Sequence, residues 1–168
     1  MSLLAIREYG DPILRKMCKP VVKIDEEIHK CVEDMRETMY FYKGVGLAAS
    51  QVGFLKRVIV LDVGEGLIVL INPEIVTVEG EANEEEGCLS LPKIIIAVKR
   101  AGKVVVQGMD LFGNHIEMKA DGLLARGIQH EIDHLDGILM IDRVSSAKRI
   151  SAINQFKNRR QDVPRELF

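Results

Sequence analysis

The stretch RGIQHEIDHLDGILM, residues 126–140, constrains this chain more than any other. At 3.6 residues per turn it sets Ile128, Ile132 and Leu135, with Leu124 just before them, along one apolar stripe that must be buried. Yet His130, Glu131, Asp133, His134 and Asp136 are interleaved with that stripe. Charged groups are costly in an interior unless something pairs with them. The fold must therefore pack a core around this helix and also supply partners for its ionisable side chains.

His130 and His134 are i and i+4, so they project from one face and can hold one metal ion together. Imidazole nitrogens suit zinc, iron, nickel or cobalt. Glu131 stands beside the pair, where a carboxylate can take a proton from metal-activated water. Gly127 lies one turn earlier on the same side; a glycine inside a helix costs about 1 kcal/mol relative to alanine. Open volume beside the ligands is a reason to tolerate it. Two plainer readings stand alongside: histidines that merely hydrogen-bond to neighbours, and a glycine that admits close helix-on-strand packing.

Two ligands hold a catalytic metal poorly; three with an open fourth position is usual. One extended protease pattern places a histidine at position 140, which is Met140, and another needs an acid on a following helix, where residues 145–161 contain no Asp or Glu. The third ligand must then come from upstream. Cys88, in EEEGCLSLPK (84–93), would complete a set of two nitrogens and one sulfur. Gly87 and the acidic run before it place Cys88 in a loop. A lone cysteine is otherwise a small core residue, which is how Cys18 and Cys31 read. GVGLAASQ (44–51) is the other irregular stretch. It reads as a flexible cap, or as backbone that a ligand approaches closely, with Gln51 as an amide donor to a developing oxyanion.

The remaining pattern is α+β. A helix is predicted from an N-cap at Asp25, with Ile28, Cys31, Val32, Met35 and Met39 at helical spacing and Gly44 as its stop. Strands are predicted at 56–63, 67–78, 94–100, 103–111 and 114–120, with Ala101–Gly102 and Gly113–Asn114 as tight turns between antiparallel neighbours. The central helix runs from near Asp121 to near Gly137, and a third covers roughly 145–161, with Ile150, Ile153 and Phe156 turned inward. At 168 residues one domain spanning 1–168 is expected. A net charge of −2 argues against general nucleic-acid affinity, DNA included. Three unspaced cysteines and no long apolar run point to a reduced, cytoplasmic protein without a membrane segment.

Gly44–Gln51 fits G-x-G-L-A-A-x-Q, Glu86–Ser90 fits E-G-C-L-S, and Gln129–Gly137 fits Q-H-E-x-D-H-L-x-G. With YGDPILRK near the start, these segments in this order resemble the peptide deformylase family. The resemblance implies antiparallel strands wrapped around a central His-Glu-x-x-His helix, with an N-terminal and a C-terminal helix. It implies a bacterial, cytoplasmic hydrolase that removes the formyl group from N-formyl-methionyl nascent polypeptides. It also implies Cys88, His130 and His134 as ligands to one divalent ion, ferrous iron in the family, with zinc, nickel or cobalt substituting in preparations. Its mechanism would use Glu131 to accept the water proton and pass it to the departing amine. The Gln51 side chain and the Leu89 backbone N–H would meet the oxyanion.

A methionine side chain needs an apolar slot, and the spacing offers Gly44, Val45 and Gly46 with Leu123, Gly127 and Leu89. Glu86 and Asp133 are expected to support the metal-binding histidines, with Arg100 neutralising one of them. Glu84, Glu85, His29 and His115 read as solvated. Lys148, Arg149, Lys157, Arg159 and Arg160 make the last helix basic. An ordinary amphipathic helix is preferred there over a transient ribosome contact. Outside the resemblance, a metallopeptidase or amidase acting on another acyl group is the alternative, and a metal-holding binding protein comes third.

Overall fold

The computed structural model describes residues 2–159. Helix α1 spans Glu26–Phe41. The Asp25 side chain accepts from the Ile28 N–H at 3.1 Å, so the first helix starts where the sequence predicts. Its end differs. Lys43, not Gly44, takes the left-handed conformation, with φ 57°. The Lys43 N–H donates to Tyr40 O and the Gly44 N–H to Met39 O. This paired closure satisfies the last carbonyls and puts the glycine one position beyond the turn.

Strands β1 (Gly46–Ala48), β2 (Val58–Leu61), β3 (Ile68–Glu79), β6 (Lys103–Met109) and β7 (His115–Asp121) form an antiparallel sheet in the order β1-β2-β3-β6-β7. Side chains alternate across a strand, and β2 is buried on both faces. Val58 and Val60 join the core under α1; Ile59 and Leu61 join the core under the second helix, α2 (Gly122–Leu135). The sheet thus lies between α1 and α2, which is why a short strand without a polar face is stable. The predicted stripe Ile128, Ile132 and Leu135 is buried in the second of these cores, with Leu124 packed against it.

Two further strands, β4 (Ala82–Cys88) and β5 (Leu91–Arg100), form a separate ribbon. Two expectations fail here. Ala101–Gly102 is not a hairpin turn, because β5 and β6 do not pair. Glu79 opposes Lys103 and Ala82 opposes Arg100 in one continuous register. The pieces β3–β4 and β5–β6 are therefore one long antiparallel hairpin, and residues 80–81 and 101–102 are the bend that divides it between two sheets. Gly80, with φ 69°, sits at that bend. The second failure is Cys88, which ends a strand instead of lying in a loop. Acidic residues form poor strands, but Glu84 and Glu85 are exposed while Glu86 and Cys88 are buried, so pairing with the apolar β5 overrides propensity.

Helix α3 spans Ser146–Lys157, capped by the Ser145 side chain. It packs on β5 through Ala152 and Phe156, with Ile153 half-buried. Ile150 is 59% exposed, against expectation. It lies about 120° around the helix from Phe156, outside the buried stripe. Arg160 lies outside the described residues, as does the end of the basic segment. No helix among the described residues is long and apolar enough to cross a membrane.

Candidate metal centre

Cys88 enters from the tip of the long hairpin, and His130 and His134 from one face of α2. All three are buried, and one potential ligand atom of each lies within 4.8 Å of the others. Cys88 Sγ is 3.4 Å from His134 Nε2. His130 Nδ1 contacts Glu86 Oε1 at 2.8 Å, which fixes the ring and leaves Nε2 as the nitrogen for a metal.

Glu86 is in turn gripped by Arg100, Nε to Oε2 at 2.6 Å and Nη2 to Oε1 at 2.9 Å. Arg100 Nη1 donates to Asp133 Oδ2 at 3.0 Å, and Arg143 donates twice to Asp133, at 2.8 and 3.1 Å. The result is a line of alternating charge, His130–Glu86–Arg100–Asp133–Arg143, behind the ligand ring. Arg100 was expected to neutralise one acid; it bridges both. Arg143 was not expected at all, because nothing in sequence ties residue 143 to the motif.

Electrostatics differ sharply between neighbours. Burial pushes the Glu86 carboxyl up, but hydrogen bonds from His130 and Arg100 outweigh it and hold the group at about 2. Burial lowers His130, yet contacts with Cys88 and Glu86 raise it to about 10. His134 goes well below its ordinary value through burial and the adjacent His130 and Arg100 charges. The two rings are thus pushed in opposite directions, His130 towards its protonated form and His134 towards its neutral one. Glu131 rises to about 7, chiefly through burial.

Both Glu131 carboxylate oxygens and His134 Nδ1 are buried with no hydrogen-bond partner among the described residues. A buried carboxylate left so is costly and fits a site built for an incoming group. A soft sulfur and two imidazoles form a donor set for zinc, iron, nickel or cobalt. These residues fit a divalent ion.

The segment 44–51 contributes twice. A Cβ on Gly46 would lie 2.7 Å from Glu131 Oε1, 3.0 Å from its Cγ and 3.1 Å from its Cδ. Strand β1 therefore approaches Glu131 as closely as a residue without a side chain allows. Gly46→Ala is expected to displace the carboxylate and lower kcat about 100-fold with metal content unchanged; an unaltered kcat removes that reading. Gln51, fully buried, accepts from the Ala48 N–H through Oε1 at 3.0 Å. Its Nε2 lies 3.0 Å from Ser90 Oγ and 3.7 Å from Cys88 Sγ. Leu89 and Ser90 form the buried hairpin tip between β4 and β5.

Of the expected slot residues, Gly44 and Val45 are half-buried and Gly127 is buried. Leu123 is 37% exposed, one turn before Gly127 on α2. His29 and His115 are exposed, as predicted. Ser50, whose Oγ donates to His134 O at 3.3 Å, and Ser90 carried no role in the sequence reading.

Residues 3–150 match the family model described as polypeptide deformylase. The chain belongs to the peptide deformylase family. It is 52% identical over 159 residues to the peptide deformylase of Caldicellulosiruptor bescii, covering 95% of this chain and 96% of that one. It is 50% identical over 146 residues to that of Thermotoga maritima, covering 86% and 89%. Among solved structures, a peptide deformylase from Legionella pneumophila superposes with a TM-score of 0.90 at 43% identity, over 93% of this chain and 94% of that one. One from Ehrlichia chaffeensis, in complex with actinonin, gives 0.90 at 40% identity, over 95% and 100%. Antiparallel strands around a central His-Glu-x-x-His helix are thus the peptide deformylase fold. The family is metal-dependent and deformylates N-terminal formyl-methionine.

Proposed function

We propose that this chain hydrolyses the formamide of N-formyl-methionyl peptides, releasing formate and a free methionyl amine. The observation that carries the proposal is the convergence of Cys88, His130 and His134 beside a buried carboxylate, Glu131, whose oxygens have no partner among the described residues. A bound divalent ion supplies Lewis acidity and a water nucleophile active near neutral pH. Glu131 takes the proton of the attacking water and delivers it to the amine as the C–N bond breaks. A group held at about 7 serves both directions of that transfer. Gln51 Nε2 and the Leu89 N–H donate to the oxygen that gains charge. Gly44, Val45, Gly46, Leu123 and Gly127 line the slot for the methionyl side chain. Residues 1–168 act as one catalytic domain.

Ferrous iron is our choice of native ion, carried over from the family resemblance, since the donor set itself suits zinc, iron, nickel and cobalt alike. Protein purified anaerobically should contain iron and release formate from formyl-Met peptides, with no release of acetate from acetyl-Met peptides. Cleavage of acetyl or internal amides at comparable rates would move the chain to the amidase reading.

Metal loading should displace a proton from His130, which its contacts with Cys88 and Glu86 favour in the metal-free protein. Zinc titration at pH 7 in two buffers of different ionisation enthalpy is expected to show proton release and an affinity that falls with pH. Absence of release contradicts the protonation assigned to His130. We keep the ordinary amphipathic reading of α3 over ribosome docking. Arg149 pairs with Asp142 and Arg159 with Glu8, which reduces the cationic face to Lys148 and Lys157 among the described residues.

A further inference from the structure

Gln51 matters only if one of its N–H bonds points at the reacting oxygen, and its amide can be placed two ways. A flipped amide would set Nε2 against the Ala48 N–H, donor against donor, in a site closed to water. The bond from Ala48 N to Oε1, at 3.0 Å, therefore fixes which end is oxygen. That leaves rotation of the NH2 end within the cavity. Ser90 Oγ, fully buried and 3.0 Å from Nε2, takes one of its two protons. The two N–H bonds of a planar amide diverge by about 120°. Once Ser90 holds the first, the second is aimed towards Cys88 Sγ, 3.7 Å away. That is the side on which the potential ligand atoms of Cys88, His130 and His134 converge.

We infer that Ser90 is a positioning residue: its hydroxyl sets the direction of the Gln51 donor and so the strength of the oxyanion contact. Ser90 sits at the hairpin tip, two residues after Cys88 and one after Leu89. One turn of backbone then supplies a metal ligand, a backbone donor and the group that orients the side-chain donor. The Tyr9 N–H binds the Ser90 backbone carbonyl, a contact that survives loss of the hydroxyl. Ser90→Ala is therefore expected to fold.

The inference rests on Gln51 acting as an oxyanion donor, and a double-mutant cycle separates the two claims. In the iron-loaded enzyme, Ser90→Ala should lower kcat about tenfold with KM unchanged, the loss expected of one hydrogen bond felt in the transition state. Gln51→Ala should lower kcat about 100-fold or more. In the Gln51→Ala background, Ser90→Ala should add nothing. With Gln51 present, Ser90→Thr, which keeps the hydroxyl, should retain most of the parent kcat. A second readout needs no turnover. The Gln51 side-chain NH2 gives a pair of amide proton signals, assigned by their loss in Gln51→Ala. Their separation should collapse in Ser90→Ala. Full activity in Gln51→Ala overturns the donor role itself. Additive losses in the double variant, or an unchanged amide pair in Ser90→Ala, overturn the role of Ser90 alone.

Discussion

Replacing Glu131 by methionine is expected to lower kcat about 1,000-fold and to make the metal-free protein more stable. General acid–base groups contribute roughly 100- to 10,000-fold, and the two other acids described beside the site are not free to stand in. Glu86 and Asp133 are locked in ion pairs with Arg100 and Arg143. The stability gain follows from the environment of Glu131, buried with neither oxygen partnered among the described residues. Its carboxyl is raised to about 7 from an ordinary 4.5. Between those values the folded protein holds a proton that the unfolded chain has lost, so stability falls as pH rises through the interval. Above pH 7 the full penalty applies, on the order of 3 kcal/mol. An apolar side chain of similar length removes it. Urea unfolding of the metal-free proteins should favour Glu131→Met, by a smaller margin at pH 4.5, where the buried carboxyl is neutral, than at pH 8. A variant that keeps kcat within tenfold of the parent, or one whose stability difference ignores pH, contradicts the role and the environment respectively.

Arg100→Met should act in the opposite direction on stability. The guanidinium is almost fully buried and closes two acids at once, Glu86 at 2.6 Å and Asp133 at 3.0 Å. Removing one partner of a buried pair costs about 3–5 kcal/mol, because the other is left charged. For a chain of this size that is a fall in Tm of roughly 10 °C. Metal affinity should also drop about 10- to 100-fold, since Glu86 orients the His130 ring. Adding Glu86→Gln keeps an acceptor for the imidazole and removes the stranded charge, so the double variant should be more stable than Arg100→Met alone. The pair also sets an acid limit. Glu86 is depressed to about 2, so its stabilisation is complete above its ordinary 4.5 and is lost as pH falls towards 2. Arg100→Met should weaken that part of the acid transition, with the His130 contact holding the remainder. An unchanged Tm and unchanged zinc affinity would show that the network behind the ligands does not matter.

What the sequence disclosed was local. The spacing of His130 and His134, the stripe of Ile128, Ile132 and Leu135, and the cap at Asp25 are set within a turn or two of chain, and periodicity reports them. Cys88 was found as a ligand candidate by elimination and by its motif, although its setting was misjudged. A strand reading ANEEEGC has no apolar alternation to announce it; its order comes from β5, which pairs Ala82 with Arg100, 18 residues away. The bend at Ala101–Gly102 was misread as a turn for the same reason, since only the continuous register of Glu79 with Lys103 and Ala82 with Arg100 tells the two apart. Ser90 and Arg143 were missed because their partners, Gln51 and Asp133, lie 39 and 10 residues away, and no local pattern encodes such a pairing.

The long hairpin ties the imidazole's partner to the larger sheet by a parity rule. Its register runs unbroken from Glu79 opposite Lys103 to Glu86 opposite Ile96, and shifts only between Glu86 and Cys88. Inserting or deleting a single residue between the bend and Glu86 would exchange the faces of the ribbon and turn that carboxylate away from His130. A matched change of two residues in each arm would preserve the face while moving the tip about 7 Å along the strand axis. A change in the length of this arm must therefore come in even steps, matched by a shift of the helix that carries the histidines.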